Sequence, residues 1–278
     1  MRFGLVGHPV GHSLSPAMHN ASFKKLGLDY DYVLFDVEKN DLKKFIENAK
    51  KREMVGVNVT IPHKVEVIKY VDKLSREAEL IGAVNTIKFG KETVGYNTDG
   101  IGCVKALEEA GVKVKDRTIL LIGAGGAARS IIFQCTLEGA TVLISNRKAE
   151  RRMAVDLSRE VKKKLGKTCE VVNLEEDSLS KALKEADMMI HATPVGMHPN
   201  TEESIISADI IPTDVTVMDI VYNPMETKLL REAKAKGCKT VSGVGMLVHQ
   251  GAESERIWLN VNPPVDLMRD AVLKGLKA

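Results

Sequence analysis

The chain has 278 residues, of which 44% are hydrophobic and 28% charged, and a formal net charge of +3 at pH 7. That length admits two domains, each with its own core, and the near-balanced charge calls for neither a nucleic acid nor an anionic membrane surface as partner. No apolar run approaches the roughly 18 residues of a membrane span, and the four cysteines, Cys103, Cys135, Cys169 and Cys238, lack metal-ligand spacing. No metal is expected. The opening RFGLVG reads as a strand and not as a signal sequence, so a cytoplasmic protein with reduced thiols is expected.

The pattern predicts a strand over 1–7 and then a loop, GHPVGHSLSP, rich in turn formers and hydroxyls. Pro16 suits the first turn of a helix running to about Leu26, which makes Ser15 the natural N-cap. Ser13 and His12 crowd the same loop. A second strand is expected over 30–37, a helix over 39–51 and a nearly all-apolar third strand over 55–61. Alternation of this kind implies a parallel sheet. The third strand ends in Asn58-Val59-Thr60-Ile61-Pro62-His63-Lys64, and further polar clusters follow at Gly82–Thr86 and Gly95–Gly100. In open α/β sheets ligands sit at the carboxyl ends of strands. Taken singly, Lys64 reads as a surface lysine and Asp99 as the N-cap of a helix over 101–110. Taken together at one pocket rim, they make a plausible proton-transfer pair.

Residues 117–147 read as an uninterrupted strand, turn, helix and strand: an apolar run over 118–122, the turn Gly123-Ala124-Gly125-Gly126, a helix over 127–137 stopped by Gly139, and a strand over 141–145. This is a βαβ unit of the dinucleotide-binding type. Gly123 permits the tight turn, Gly125 lets the backbone approach a pyrophosphate, and Ala128 stands where a third glycine is often found. A glycine turn alone is also compatible with an α/β domain that binds no nucleotide. A site for NAD usually places Asp or Glu about 20 residues after the glycines. This strand instead runs into Ser145-Asn146-Arg147, then Lys148, Arg151 and Arg152, and no carboxylate is expected there to repel a 2′-phosphate. Guanidinium forks match phosphate, which favours NADP, although Arg151 and Arg152 alone could equally be a solvated helix face.

Beyond it a long helix should reach Leu165, followed by strands over 170–172, 188–192, 215–219 and 239–241 and helices over 179–186 and 226–236. Thr193–Met197 forms a loop suited to lie along a cofactor. The last helices, over 245–258 and 264–276, come too late for the nucleotide domain's sheet and should return to the first domain, making it discontinuous.

With these loops in order the chain resembles shikimate dehydrogenase over essentially its whole length. The resemblance rests on the series SLSP (13–16), NVTIPHK (58–64), GAVNT (82–86), NTDG (97–100), GAGGA (123–127), SNR (145–147) and GMLVHQ (245–250). It implies an α/β protein of two domains: a Rossmann-type, doubly wound NADP-binding domain at 101–242, and a discontinuous α/β substrate domain with a mostly parallel sheet at 1–100 and 243–278. Lys64 and Asp99 would carry the proton chemistry, and Ser13, Ser15, Thr60, Lys64, Asn85, Asp99, Tyr222 and Gln250 would hold substrate. Gly123, Ala124, Gly125, Gly126, Ala127, Asn146, Arg147, Arg151, Thr193, Ile220 and Gly243 would contact NADP. The expected reaction is the reversible NADPH-dependent reduction of 3-dehydroshikimate to shikimate, in aromatic amino acid biosynthesis. Alternatives are an NAD-using quinate/shikimate dehydrogenase and, more distantly, a non-catalytic NADP sensor. The expected partner is the small-molecule substrate, without nucleic acid or membrane; a homodimer is admissible. His63 stands where many members have phenylalanine, and Lys148 where threonine is frequent.

Overall fold

The computed structural model describes residues 2–52 and 54–277. Met1, the expected start of the first strand, and Ala278, the expected last residue of the substrate domain, lie outside the described residues. The chain forms two compact units, Met1–Gly102 with Val248–Ala278, and Cys103–Leu247.

The first unit contains β1 (Arg2–Gly7), α1 (Ser15–Lys25), β2 (Asp31–Asp36), α2 (Leu42–Lys51), β3 (Gly56–Val59), β4 (Lys73–Leu74), α3 (Arg76–Ile81), β5 (Thr86–Lys88), β6 (Val94–Tyr96) and the start of α4 (Asp99–Glu109). Its sheet has the order β2-β1-β3-β5-β6-β4. Strands β2, β1 and β3 are mutually parallel, as the βαβ alternation requires. The β3–β5 and β5–β6 pairings are antiparallel, so the polar clusters at 82–86 and 95–100 flank a short hairpin.

The second unit contains β7 (Thr118–Ile122), α5 (Gly126–Leu137), β8 (Thr141–Asn146), α6 (Arg151–Leu165), β9 (Glu170–Asn173), α7 (Glu176–Glu185), β10 (Met188–His191), β11 (Thr216–Asp219), α8 (Lys228–Ala235) and β12 (Thr240–Val241). The sheet order β12-β11-β10-β7-β8-β9 is parallel throughout. Counted from β7, this is the doubly wound order with its reversal between β7 and β10. Ile119 to Ile122 are wholly buried, which is why β7 reads as a continuous apolar run and not an alternating one.

The last two helices are α9 (Gly243–Leu259) and α10 (Val265–Gly275). From Val248 onward they belong to the first unit. Trp258 of α9 packs on Phe3 with ring centroids 4.9 Å apart, and its indole N–H donates to the Ile87 carbonyl at 2.9 Å. One turn earlier Glu255, fully buried, lies 2.7 Å from His19 Nδ1 and accepts from the Ser22 hydroxyl at 2.5 Å. Strand 1 and helix 1 are thus completed by residues from the far end of the chain. Among the described residues no helix is long and apolar enough to cross a membrane.

Candidate active site

The carboxyl end of β3, the turn after α3 and the start of α4 meet in the first unit. Backbone bonds from Val59 N–H to the Asn85 carbonyl (2.8 Å), Val84 N–H to the Lys64 carbonyl (2.7 Å) and Asn85 N–H to the Tyr96 carbonyl (3.0 Å) lace the three polar clusters together. Lys64 Nζ donates to Asp99 Oδ2 at 2.6 Å, with only 15% and 6% of the two side chains exposed. The lysine is therefore not an ordinary surface residue. Nor is Asp99 the N-cap: α4 begins at Asp99 itself, and its own N–H donates to Asn97 Oδ1 at 3.1 Å. Its carboxylate instead serves Lys64 and Asn85.

Asn85 orients that carboxylate. Its Nδ2 donates to Asp99 Oδ1 (2.8 Å) and Thr98 Oγ1 (2.9 Å) and lies 3.5 Å from Gln250 Oε1. Its Oδ1 accepts from Thr98 N–H (2.8 Å) and the Thr86 hydroxyl (2.9 Å). An amide offers two donors and two acceptor sites, so this one is fully committed. A substrate hydroxyl reaching Asn85 must exchange with one of these partners. Asn58, Thr86 and Ser254 support the arrangement from behind, with Asn58 Nδ2 donating to Thr86 Oγ1 at 3.0 Å and Ser254 Oγ at 2.9 Å.

Ser13 and Ser15 pair with each other, the Ser13 hydroxyl donating to Ser15 Oγ at 3.1 Å and accepting from Ser15 N–H at 3.2 Å. The expected N-cap is corrected here. Ser15 opens α1, the cap position falls on Leu14, whose side chain has no acceptor to offer, and the Ser15 N–H donates to the Ser13 hydroxyl two residues earlier. Ser15 also bonds to Tyr32, whose phenol is pushed up by complete burial and donates to Asn58 Oδ1 at 2.8 Å. Thr60 is half-buried and fixed through its N–H to the Val6 carbonyl at 2.9 Å. Tyr222 belongs to the second unit, in the loop after β11.

The candidate dinucleotide site lies at the carboxyl edge of the second unit's sheet, at the β7/β10 reversal. Gly123 has φ +123°, and a Cβ there would lie 2.5 Å from the Ala192 carbonyl oxygen. Gly125 occupies the N-cap of α5 with no side-chain cap, and nothing lies within 4 Å of where its Cβ would be. Unfilled space over a glycine, beside the N–H groups of Gly126 and Ala127 at a helix N-terminus, fits a pyrophosphate. Ala124 lines the same turn, and Ala128 is fully buried beneath it. Gly243 opens α9 where a Cβ would stand 2.2 Å from the Ile220 carbonyl oxygen, so these two loops are in direct contact.

At the end of β8 the Asn146 side chain shapes its own turn, accepting from Arg147 N–H at 2.9 Å and donating to the Glu150 carbonyl at 3.2 Å. Arg151 Nε donates to Asn173 Oδ1 at 3.0 Å, so the ends of β8 and β9 both present guanidinium groups. One expectation is overturned: a carboxylate does stand at this rim. The short turn Lys148–Glu150 brings Glu150 back onto Arg147, 2.7 Å from its guanidinium. The pair is exposed, so its attraction is screened and readily exchanged for a phosphate.

Reading the residues singly also misses a buried polar centre at the ends of β10 and β11. His191 Nδ1 is 3.0 Å from Asp219 Oδ1, and both side chains are 1% exposed. The signal was a polar residue closing each of two apolar strands, MMIH and TVMD. Among the described residues no group of three or more His, Cys, Asp or Glu could hold a metal ion.

A doubly wound parallel sheet with a glycine turn at its reversal, accompanied by a shielded lysine–aspartate pair suited to moving a proton, defines a dinucleotide-dependent oxidoreductase. Family models described as the shikimate dehydrogenase substrate binding domain, shikimate/quinate 5-dehydrogenase and the shikimate 5'-dehydrogenase C-terminal domain match residues 5–87, 105–222 and 243–273. The shikimate dehydrogenase (NADP(+)) of Methanocaldococcus jannaschii is 47% identical over 275 residues, covering 97% of this chain and 95% of that protein. A crystal structure of a shikimate dehydrogenase in complex with NADP+ superposes with a TM-score of 0.94 at 46% identity, over 99% of this chain and 95% of the other. Another, from Listeria monocytogenes in complex with shikimate and NAD, gives 0.90 at 38% identity, over 97% and 95%. The chain belongs to the shikimate dehydrogenase family.

Proposed function

We propose that this chain catalyses the reversible NADPH-dependent reduction of 3-dehydroshikimate to shikimate, in the biosynthesis of aromatic amino acids. The unit Met1–Gly102 with Val248–Ala278 takes the substrate and the unit Cys103–Leu247 takes NADP. The observation that carries this reading is the Lys64–Asp99 contact at 2.6 Å, held by Asn85. When bound, the nicotinamide supplies the hydride. The protein must then handle the charge that develops on the ketone oxygen. An ammonium group has three N–H donors, of which Asp99 takes one, so Lys64 can donate to that oxygen and hand over the proton as the charge builds. Asp99 has lone pairs left beyond those used by Lys64 and Asn85, enough to accept from a neighbouring ring hydroxyl. Ser13, Ser15, Thr60, Asn85, Tyr222 and Gln250 match the remaining hydroxyls and the carboxylate. On the cofactor side Gly123 to Ala127 hold the pyrophosphate, Asn146, Arg147 and Arg151 the ribose phosphate, and Thr193, Ile220 and Gly243 the far end of the dinucleotide.

The enzyme works on free small molecules in the cytoplasm, in keeping with four free cysteines, all buried. Burial raises the Cys135 thiol to about 12 and the Cys169 thiol to about 11, which keeps them protonated and unreactive at neutral pH. The test is the appearance of NADPH absorbance when purified protein meets shikimate and NADP+. No reduction at neutral to alkaline pH would sink the proposal, and a higher kcat/KM for quinate with NAD+ would transfer it to the quinate-oxidising reaction.

A further inference from the structure

We infer that His191, anchored by Asp219, is a positioning residue for the dinucleotide: it sets the Thr193 hydroxyl as an acceptor and ties together the loops that follow β10 and β11. The inference rests on the reading of Thr193 and Ile220 as cofactor contacts. Asp219 accepts from three donors, His191 Nδ1 (3.0 Å) and Val221 N–H (3.0 Å) at Oδ1 and the Thr227 hydroxyl (2.7 Å) at Oδ2. A carboxylate only accepts, so the imidazole proton sits on Nδ1, and in the neutral ring Nε2 is a bare acceptor. Thr193 Oγ1 lies 2.5 Å from that Nε2. With the ring neutral, the threonine hydroxyl donates inward to the histidine. Its oxygen, which also accepts from Val195 N–H at 3.3 Å, keeps one lone pair for an outside N–H donor such as an amide. Thr193 is half-buried, within reach of a ligand, whereas His191 is not.

The backbone of His191 does a second job. Its carbonyl accepts from Ile220 N–H at 3.0 Å, and the Ile220 carbonyl in turn closes on Gly243. Thr193 Cγ2 lies 3.1 Å from where a Cβ on Gly123 would be, so the threonine side chain packs its methyl on the glycine turn while its hydroxyl faces His191. A buried polar pair is costly, and apolar residues would fill two adjacent strand ends more cheaply. The geometry gives this pair something an apolar pair could not provide: a threonine whose donor and acceptor sides are fixed before the ligand arrives.

The experiment measures NADP+ and shikimate affinities separately by calorimetry, together with the melting temperature, for wild type, Thr193→Val, His191→Leu, His191→Asn and the Thr193→Val/His191→Leu double variant. Thr193→Val and His191→Leu should each weaken NADP+ binding about tenfold, the size of one lost hydrogen bond in a binding equilibrium. Shikimate affinity should be unchanged. The double variant should lose no more than either single, because a threonine without its histidine is already unset. His191→Asn, which retains both a donor and an acceptor, should recover most of the affinity. Thr193→Val is nearly isosteric and keeps the test alive if His191→Leu fails to fold. Wild-type NADP+ affinity in Thr193→Val, or additive losses in the double variant, would overturn the positioning role. A wild type that binds NADP+ but does not oxidise shikimate overturns the proposed reaction alone, since affinity and not turnover is the readout here.

Discussion

The two candidate sites are built in opposite ways. In the first unit the candidate reactive groups are charged side chains drawn from separate loops, shielded from water and fixed by other side chains: Lys64 on Asp99, Asp99 on Asn85, Asn85 on Thr86 and Thr98. In the second unit the rim consists of main-chain amides at a helix N-terminus, glycines that leave space, and exposed arginines. The difference follows from the task. Proton transfer needs a donor placed to within a fraction of an ångström of its acceptor in a site of low dielectric, whereas a phosphate spreads its charge over several oxygens and accepts any nearby donor. The His191–Asp219 centre gives the second unit a piece of side-chain architecture of the first kind.

The comparison predicts where substitutions should hurt most. Lys64→Ala should reduce kcat by about 10² to 10⁴, the usual range of a general acid–base contribution, with a smaller change in shikimate affinity because Ser13, Ser15 and Gln250 remain. Asp99→Asn should also lose turnover, and the double variant should fall far short of the sum if the two act as a unit. Normal kcat with weak shikimate binding in Lys64→Ala would make the lysine an anchor and move the acid elsewhere. On the exposed rim the effects should be smaller and fall on binding. Arg147→Ala should raise KM for NADPH through the loss of a charge-assisted contact, at most about 1.5 to 3 kcal/mol, and leave KM for NADH nearly unchanged. Equal effects on both cofactors would place Arg147 away from the phosphate. The smallest change is expected from Glu150→Gln. It frees Arg147 from an exposed pair worth up to about 1 kcal/mol and should lower KM for NADPH a few-fold without touching NADH. A rise in KM would mean that Glu150 serves to aim the guanidinium.

Much of the second unit was legible because its signals are long and redundant. Strand β7 falls on the expected residues, α5 starts one residue early, and β8 runs one residue further. The first unit was harder to read. Strands β4, β5 and β6 span only two or three residues, too few for any periodicity, and their antiparallel pairing is decided by tertiary contact. The polar clusters stood out one by one, but the closure of Asn85 around Asp99 depends on that hairpin. Glu150 lies beyond the end of β8 in sequence, and only the single helical turn Lys148–Glu150 folds its carboxylate back onto Arg147. His191 and Asp219 carry no motif spacing; 28 residues separate them, and only the parallel β10–β11 pairing makes them neighbours.

The Glu255–His19 contact spans 236 residues of sequence, and Trp258 reaches Phe3 over a comparable distance. During synthesis from the N-terminus, β1, α1 and β2 therefore leave the ribosome with Phe3, Phe23 and Tyr32 short of their covering aromatic and with His19 and Ser22 short of their carboxylate. The doubly wound unit, by contrast, contains all of its own sheet between Cys103 and Leu247. The segment that is made first thus gains its full set of contacts only once the last helices have been made.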